Sequence, residues 1–162
     1  MGLKNWLLLR QLILASHRYA KQLPSGPISQ SDMQRFHNIM LALIKQFQNK
    51  FSAANNRVLA RDVLLPLVFY LDEKLMKTYF YQHPERWPLL QKSLFNVDHG
   101  GILFYQLLDK HLQVQNLPLF IVEMYYFFFK SDFHGRYFNA PQKRDVYLQT
   151  LTKKLLASDE KP

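Results

Sequence analysis

Among the residues able to do chemistry, the carboxylates are the most informative, by position more than by number. Asp72 and Glu73 directly follow the apolar run Leu67-Val68-Phe69-Tyr70-Leu71, and Glu123 stands between Val122 and Met124. A charged group in such surroundings is costly unless it is paired or hydrogen-bonded. One reading is a carboxylate pair for acid–base or metal chemistry. A second makes them acceptors for buried backbone N–H groups and for Arg136, fixing how helices meet. A third places one of them in a surface cleft as a docking group for a basic partner. The structural reading is preferred to catalysis.

Other catalytic templates fail. The six histidines (His17, His37, His83, His99, His111 and His134) contain no pair spaced four apart around a glutamate, which excludes a zinc site of the helical metalloprotease type. A three-histidine site assembled by the fold is the one histidine-metal reading left open. There is no cysteine, so disulfides, thiolate zinc sites and cysteine nucleophiles are excluded together. Gly100-Gly101 lacks the lysine and the preceding strand of a phosphate loop. No catalytic, cofactor-binding or metal-ligating residue is assigned, and no cofactor is expected.

Near the end of a very aromatic segment, Ser131-Asp132-Phe133-His134-Gly135-Arg136-Tyr137 reads as a helix stop. Gly135 is placed to take the left-handed conformation that ends helices. Arg136 is then expected to fold back and pair with Glu123, just over three helical turns upstream.

A helical period accounts for the elements that must position these groups. From Ser31 to Phe51 the apolar positions Met33, Phe36, Met40, Leu43, Phe47 and Phe51 recur at steps of three and four. Ser29, Ser31 and Asp32 are N-cap candidates behind the breaker Leu23-Pro24-Ser25-Gly26-Pro27. A helix from about Leu3 to Gln22 precedes it. The run from Val58 to Phe80, apolar nearly all round, predicts a central helix that Pro66 should kink or restart. Three shorter helices follow, divided by His83-Pro84, by His99-Gly100-Gly101 and by Asn116-Leu117-Pro118; the first holds Trp87, Leu90, Leu94 and Phe95. A last helix spans about Pro141 to Ala157, with a stripe of Val146 or Tyr147, Leu148, Leu151 and Leu155. The expectation is a single all-α domain over 1–162, with seven to eight helices packed as one or two small bundles.

Net charge is +9, from 21 Lys plus Arg against 12 Asp plus Glu. Nucleic acid, an anionic membrane surface and an acidic protein all suit that charge. The cations are spread through the chain with no more than two in a row, unlike a nucleic-acid arm. The nearly uncharged stretch from Leu112 to Phe129 carries Glu123 and Pro118 and is a poor membrane span. No signal peptide is expected, since Arg10 and Gln11 interrupt the run Trp6 to Leu9.

Several of these residues form an ordered set: Leu71-Asp72-Glu73; Trp87 followed by Leu90 and Phe95; Gly100-Gly101 followed by Phe104-Tyr105 and Leu108; Glu123 with Tyr125-Tyr126; and Phe133-His134-Gly135-Arg136-Tyr137. At these spacings the set resembles the signature of the DotU/TssL/IcmH family of bacterial secretion systems. Asp132 departs from it where the family usually has glycine, Val122 stands where it usually has leucine, and Phe127-Phe128-Phe129 replaces smaller residues. The N-terminal third matches only in being helical.

The resemblance implies a non-enzymatic scaffold of a type IVB (Dot/Icm) or type VI apparatus: a hook-like pair of helical bundles with a cleft between them. It implies an inner-membrane protein whose domain faces the cytoplasm, with a single membrane helix expected beyond residue 162. The implied partner is an IcmF/TssM-type inner-membrane protein, with baseplate components and a second copy of the chain as further partners. The charge suits the anionic inner leaflet, and no nucleic acid is expected. Two rivals remain, a basic helical nucleic-acid-binding domain and a helical enzyme using Asp72, Glu73 and Glu123.

Overall fold

The segments with helical period become seven α-helices: α1 (Gly2–Ala20), α2 (Gln30–Ala54), α3 (Arg57–Thr78), α4 (Leu90–Phe95), α5 (Gly100–Leu112), α6 (Leu119–Lys130) and α7 (Pro141–Asp159). Single 3-10 turns occupy Pro84–Arg86 and Gly135–Tyr137, and no strand occurs among the described residues. The computed structural model describes residues 2–159. Met1, residues 160–162 and the membrane helix expected beyond them lie outside the described residues.

Local chemistry fixes the helix starts. Ser29 Oγ accepts the Asp32 amide at 3.0 Å, and Asn56 Oδ1 accepts the Leu59 amide at 2.7 Å, each satisfying an N–H with no partner inside its helix. The α1–α2 hairpin is closed at its open end by two amides. Asn5 Nδ2 donates to Asn55 Oδ1 at 3.2 Å, and Asn55 Nδ2 donates back to Asn5 Oδ1 at 2.8 Å. Asn5 is buried, so this reciprocal pair removes a polar group that would otherwise weaken the interface.

The central position of α3 follows from its composition. Val63, Leu67, Val68, Phe69, Tyr70, Leu71 and Leu75 are all buried, covering every direction around the helix axis. It packs against α2 and α4 on one side and α5 and α6 on the other. The helices thus sort into two groups, α1–α2–α4 and α5–α6–α7, around this shared helix and one continuous core.

Three expectations are corrected. Pro66 does not restart α3, which runs through it as one helix with the ring buried in the core. Gly100 and Gly101, expected as a breaker, form the first turn of α5, where the Phe69 and Gln91 side chains press on Gly100 and the Gly135 backbone passes close to Gly101. Trp87 lies outside any helix, buried and stacked on Phe80 at 4.8 Å between centroids. In α7 the open choice falls to Tyr147, which is partly buried, whereas Val146 is exposed.

Four histidines share one electrostatic bias. Burial is the first cause that lowers the pKa of His17, His37, His111 and His134 below the ordinary value of 6.5. At these four imidazoles the folded state therefore binds fewer protons than the unfolded chain, and the stability they contribute is lost as pH falls through 6.5. Thermal melts between pH 7.5 and pH 5.5 should show the unfolding midpoint falling as the solution is acidified. A midpoint that stays level or rises would contradict the burial of neutral imidazoles.

Candidate functional site

Consecutive residues on an α-helix point roughly 100° apart, so Asp72 and Glu73 of α3 reach different neighbours. Asp72 is 1% exposed and turns toward the segment that leads into α4. Its Oδ1 accepts from Trp87 Nε1 at 2.9 Å and from the Leu90 amide at 2.8 Å. Its Oδ2 accepts from the Gln91 amide and from Gln91 Nε2, both at 3.0 Å. Leu90 and Gln91 open α4, so Asp72 caps that helix from outside and satisfies amides that lack an internal partner. Burial pushes the Asp72 carboxyl above its ordinary value, while the four donors pull against that shift.

Glu73 turns the other way. Its Oε2 accepts the His134 amide and its Oε1 the Gly135 amide, each at 2.8 Å, and Lys77 Nζ lies 3.1 Å from Oε2. Lys77 also donates to the Asp132 carbonyl at 3.0 Å and meets His134 Nδ1. His134 is held below its ordinary pKa by burial and then by the Lys77 charge, which suits a neutral imidazole beside an ammonium.

The glycines let these elements meet. A Cβ on Gly100 would lie 2.5 Å from Phe69 Cδ1 and 2.6 Å from Gln91 Oε1, and the Gly100 amide donates to that same Oε1 at 2.8 Å. Gln91 therefore passes the hold of Asp72 on to the start of α5. At Gly101 an added Cβ would lie 3.2 Å from Gly135 Cα, and at Gly135 it would lie 2.9 Å from the Gly101 carbonyl oxygen. Gly135 has φ +58°, the left-handed conformation expected of it. Tyr105 completes the junction, donating to the His134 carbonyl at 2.6 Å. Phe133 is buried, with its ring centroid 4.0 Å from that of Phe104.

The helix stop itself belongs to another residue. Asp132, with φ +69°, follows the Ser131 cap of α6. The Phe133 amide donates to the Phe128 carbonyl at 3.0 Å and the Asp132 amide to the Phe129 carbonyl at 3.1 Å, the paired bonds of a Schellman termination. Aspartate tolerates this conformation better than most side chains. Gly135 shapes the turn that follows and does not end α6.

Glu123 and Arg136 do not pair. Glu123 lies on the face of α6 that meets α1, and its Oε2 accepts from Trp6 Nε1 at 3.2 Å. Tyr126 lines the same α1-facing hollow. Arg136 is carried outward, because its turn is pressed by Gly135 against Gly101; its guanidinium carbon lies 5.2 Å from the Tyr137 ring centroid. Tyr137 meets Tyr105 edge-on at 4.5 Å.

Asp72, Glu73, Trp87, Gly100, Gly101, Phe133 and Gly135 converge on an open cleft of about 460 Å³. Its outer wall includes Glu85 and Asp98, both exposed, and no Lys, Arg or His lines it. Sequence reasoning missed Gln91, whose only signal was a polar residue beside Leu90. No group of three or more His, Asp or Glu suited to a metal is found among the described residues.

The family model described as type VI secretion system protein DotU matches residues 9–161. The chain belongs to the DotU family. Among solved structures, the DotU protein of Francisella novicida superimposes with a TM-score of 0.73 at 18% identity, covering 94% of this chain and 99% of that one. At that identity the likeness speaks for the fold, which the two share. A sequence search of curated proteins gives no match. Seven residues of the signature, Asp72, Glu73, Trp87, Gly100, Gly101, Phe133 and Gly135, meet around the cleft, whereas Glu123 and Tyr126 line the hollow facing α1.

The geometry separates the acids by consequence. Asp72→Asn directs an amide N–H at donors that need an acceptor and should cost about 2–4 kcal/mol of unfolding free energy. Glu123→Gln keeps an acceptor for Trp6 and should change stability by less than about 1 kcal/mol. Denaturant melts of both variants check this, and equal losses would contradict the assignment.

Proposed function

We propose that this DotU-family chain is a structural subunit of a type VI secretion apparatus, held at the inner membrane with this domain facing the cytoplasm. Its task is to bind and steady an IcmF/TssM-type membrane partner. One observation carries the reading: Asp72 and Glu73 accept seven hydrogen bonds between them, from Trp87, Leu90, Gln91, His134, Gly135 and Lys77. Carboxylates so engaged hold structure, whereas a general acid or base needs an open line to a substrate proton. They build a cleft for a partner.

The character of the cleft favours a basic segment as its occupant. Glu85 and Asp98 are exposed on its wall, Glu73 keeps 19% of its side chain open, and no cation lines it. On a chain of net charge +9 this local acidity is a deliberate contrast, and like charges elsewhere on the surface would repel the same segment. Docking thus falls to the wall residues, not to Asp72, whose burial removes it from contact.

The test is capture of the IcmF/TssM-type protein by the parent and by the double variant Glu85→Lys with Asp98→Lys. The variant should melt like the parent and bind at least about tenfold more weakly. Undiminished capture would remove the cleft from the interface, and no capture by the parent would remove the partner.

A further inference from the structure

The positive charge is not evenly placed once the chain is folded. Residues 1–61 carry nine Lys and Arg (Lys4, Arg10, Arg18, Lys21, Arg35, Lys45, Lys50, Arg57 and Arg61) against one acid, Asp32, a net +8 of the chain's +9. The remaining residues hold twelve cations and eleven acids, close to balance. Nearly all the net charge therefore sits on the α1–α2 hairpin and the start of α3.

The outer face of α1 adds a second, independent feature. Leu3 is 74% exposed, Leu7 47% and Leu14 52%, while the opposite face buries Leu9, Leu12 and Ala15 in the core. At 3.6 residues per turn, Leu3, Leu7, Arg10, Leu14 and Arg18 fall within an arc of about 80°. Arg10 and Arg18 are both exposed. Beside this stripe runs a groove of about 300 Å³ between α1 and α2, where Leu14, Arg18, Gln46 and Lys50 are among the lining residues and no carboxylate occurs.

We infer that this face of α1, with the adjoining edge of α2, lies on an anionic phospholipid surface. Charge complementarity chooses an anionic partner, and the three leucines choose a lipid interface. Isobutyl groups among arginines gain nothing against a phosphodiester backbone, which rewards cations and hydrogen-bond donors. At a membrane interface they enter the headgroup–acyl boundary while the arginines meet lipid phosphates. The inference stands apart from the partner-docking cleft, whose walls come from α3 to α5 and the turn after α6.

Flotation of the whole chain with vesicles tests it, using phosphatidylcholine alone and with one-third phosphatidylglycerol, beside duplex DNA at equal phosphate concentration. The parent should bind the anionic vesicles, ignore the neutral ones and weaken as salt rises. Arg10→Gln with Arg18→Gln should lower affinity about thirtyfold, each arginine near the surface counting for about 1 kcal/mol. Leu7→Gln with Leu14→Gln should lower it about tenfold while keeping the salt dependence. Both pairs are exposed, and circular dichroism confirms that each variant folds. Absence of vesicle binding, tighter binding to DNA than to vesicles, or leucine variants that bind like the parent would each overturn the inference.

Discussion

Two adjacent carboxylates on one buried helix are the constraint on which the rest of this architecture depends. Because neighbours on a helix diverge by roughly 100°, a single dipeptide can address two separate pieces of chain. Asp72 captures the segment from Trp87 to Gln91, and Glu73 captures the turn at His134 and Gly135. Both pieces present amides at the start of a helix or turn, where no intrahelical carbonyl satisfies them. Without an acceptor those amides would be buried and unpaired, so neither segment would have a reason to lie where it does. Gln91 links the two holds, since it donates to Asp72 and accepts from Gly100 at the start of α5. The close approach of Gly101 and Gly135 then closes the circuit.

This arrangement explains why parts of the fold were legible in the sequence and others were not. Helices with a clear apolar stripe and a marked cap, such as α2 behind Ser29, could be read from their own residues, because period and capping are local properties. The importance of the acid pair was also legible, as charge beside a continuous apolar run demands compensation. The identity of the compensating donors was not, because it depends on which distant backbone arrives there. Arg136 was the obvious chemical match for Glu123, yet the matching donor was Trp6, more than a hundred residues away in sequence. Similarly, Gly100-Gly101 looks like a break in any local reading. Only the packing of Phe69 and Gly135 against it reveals a helix start.

The same folding sorts charge that looks scattered along the chain. Net positive charge collects on the α1–α2 hairpin and the start of α3, while the charged residues that line the cleft beside α3 are all acids. Such polarity suits the proposed structural role, in which the acidic cleft and the basic face would meet different surfaces. The fixed segments around Asp72 and Glu73 give the acidic face a defined shape, and the amide-closed hairpin gives the basic face its own.

The most direct measurement is amide hydrogen exchange at Leu90, Gln91, His134 and Gly135, compared between the parent and Glu73→Gln. In the parent all four amides should exchange slowly, although none lies within the hydrogen-bonded interior of a helix. In the variant His134 and Gly135 should exchange at least about tenfold faster while Leu90 and Gln91, held by Asp72, keep their protection. If His134 and Gly135 stay as protected as in the parent, Glu73 does not hold the turn, and the account of the adjacent carboxylates is contradicted.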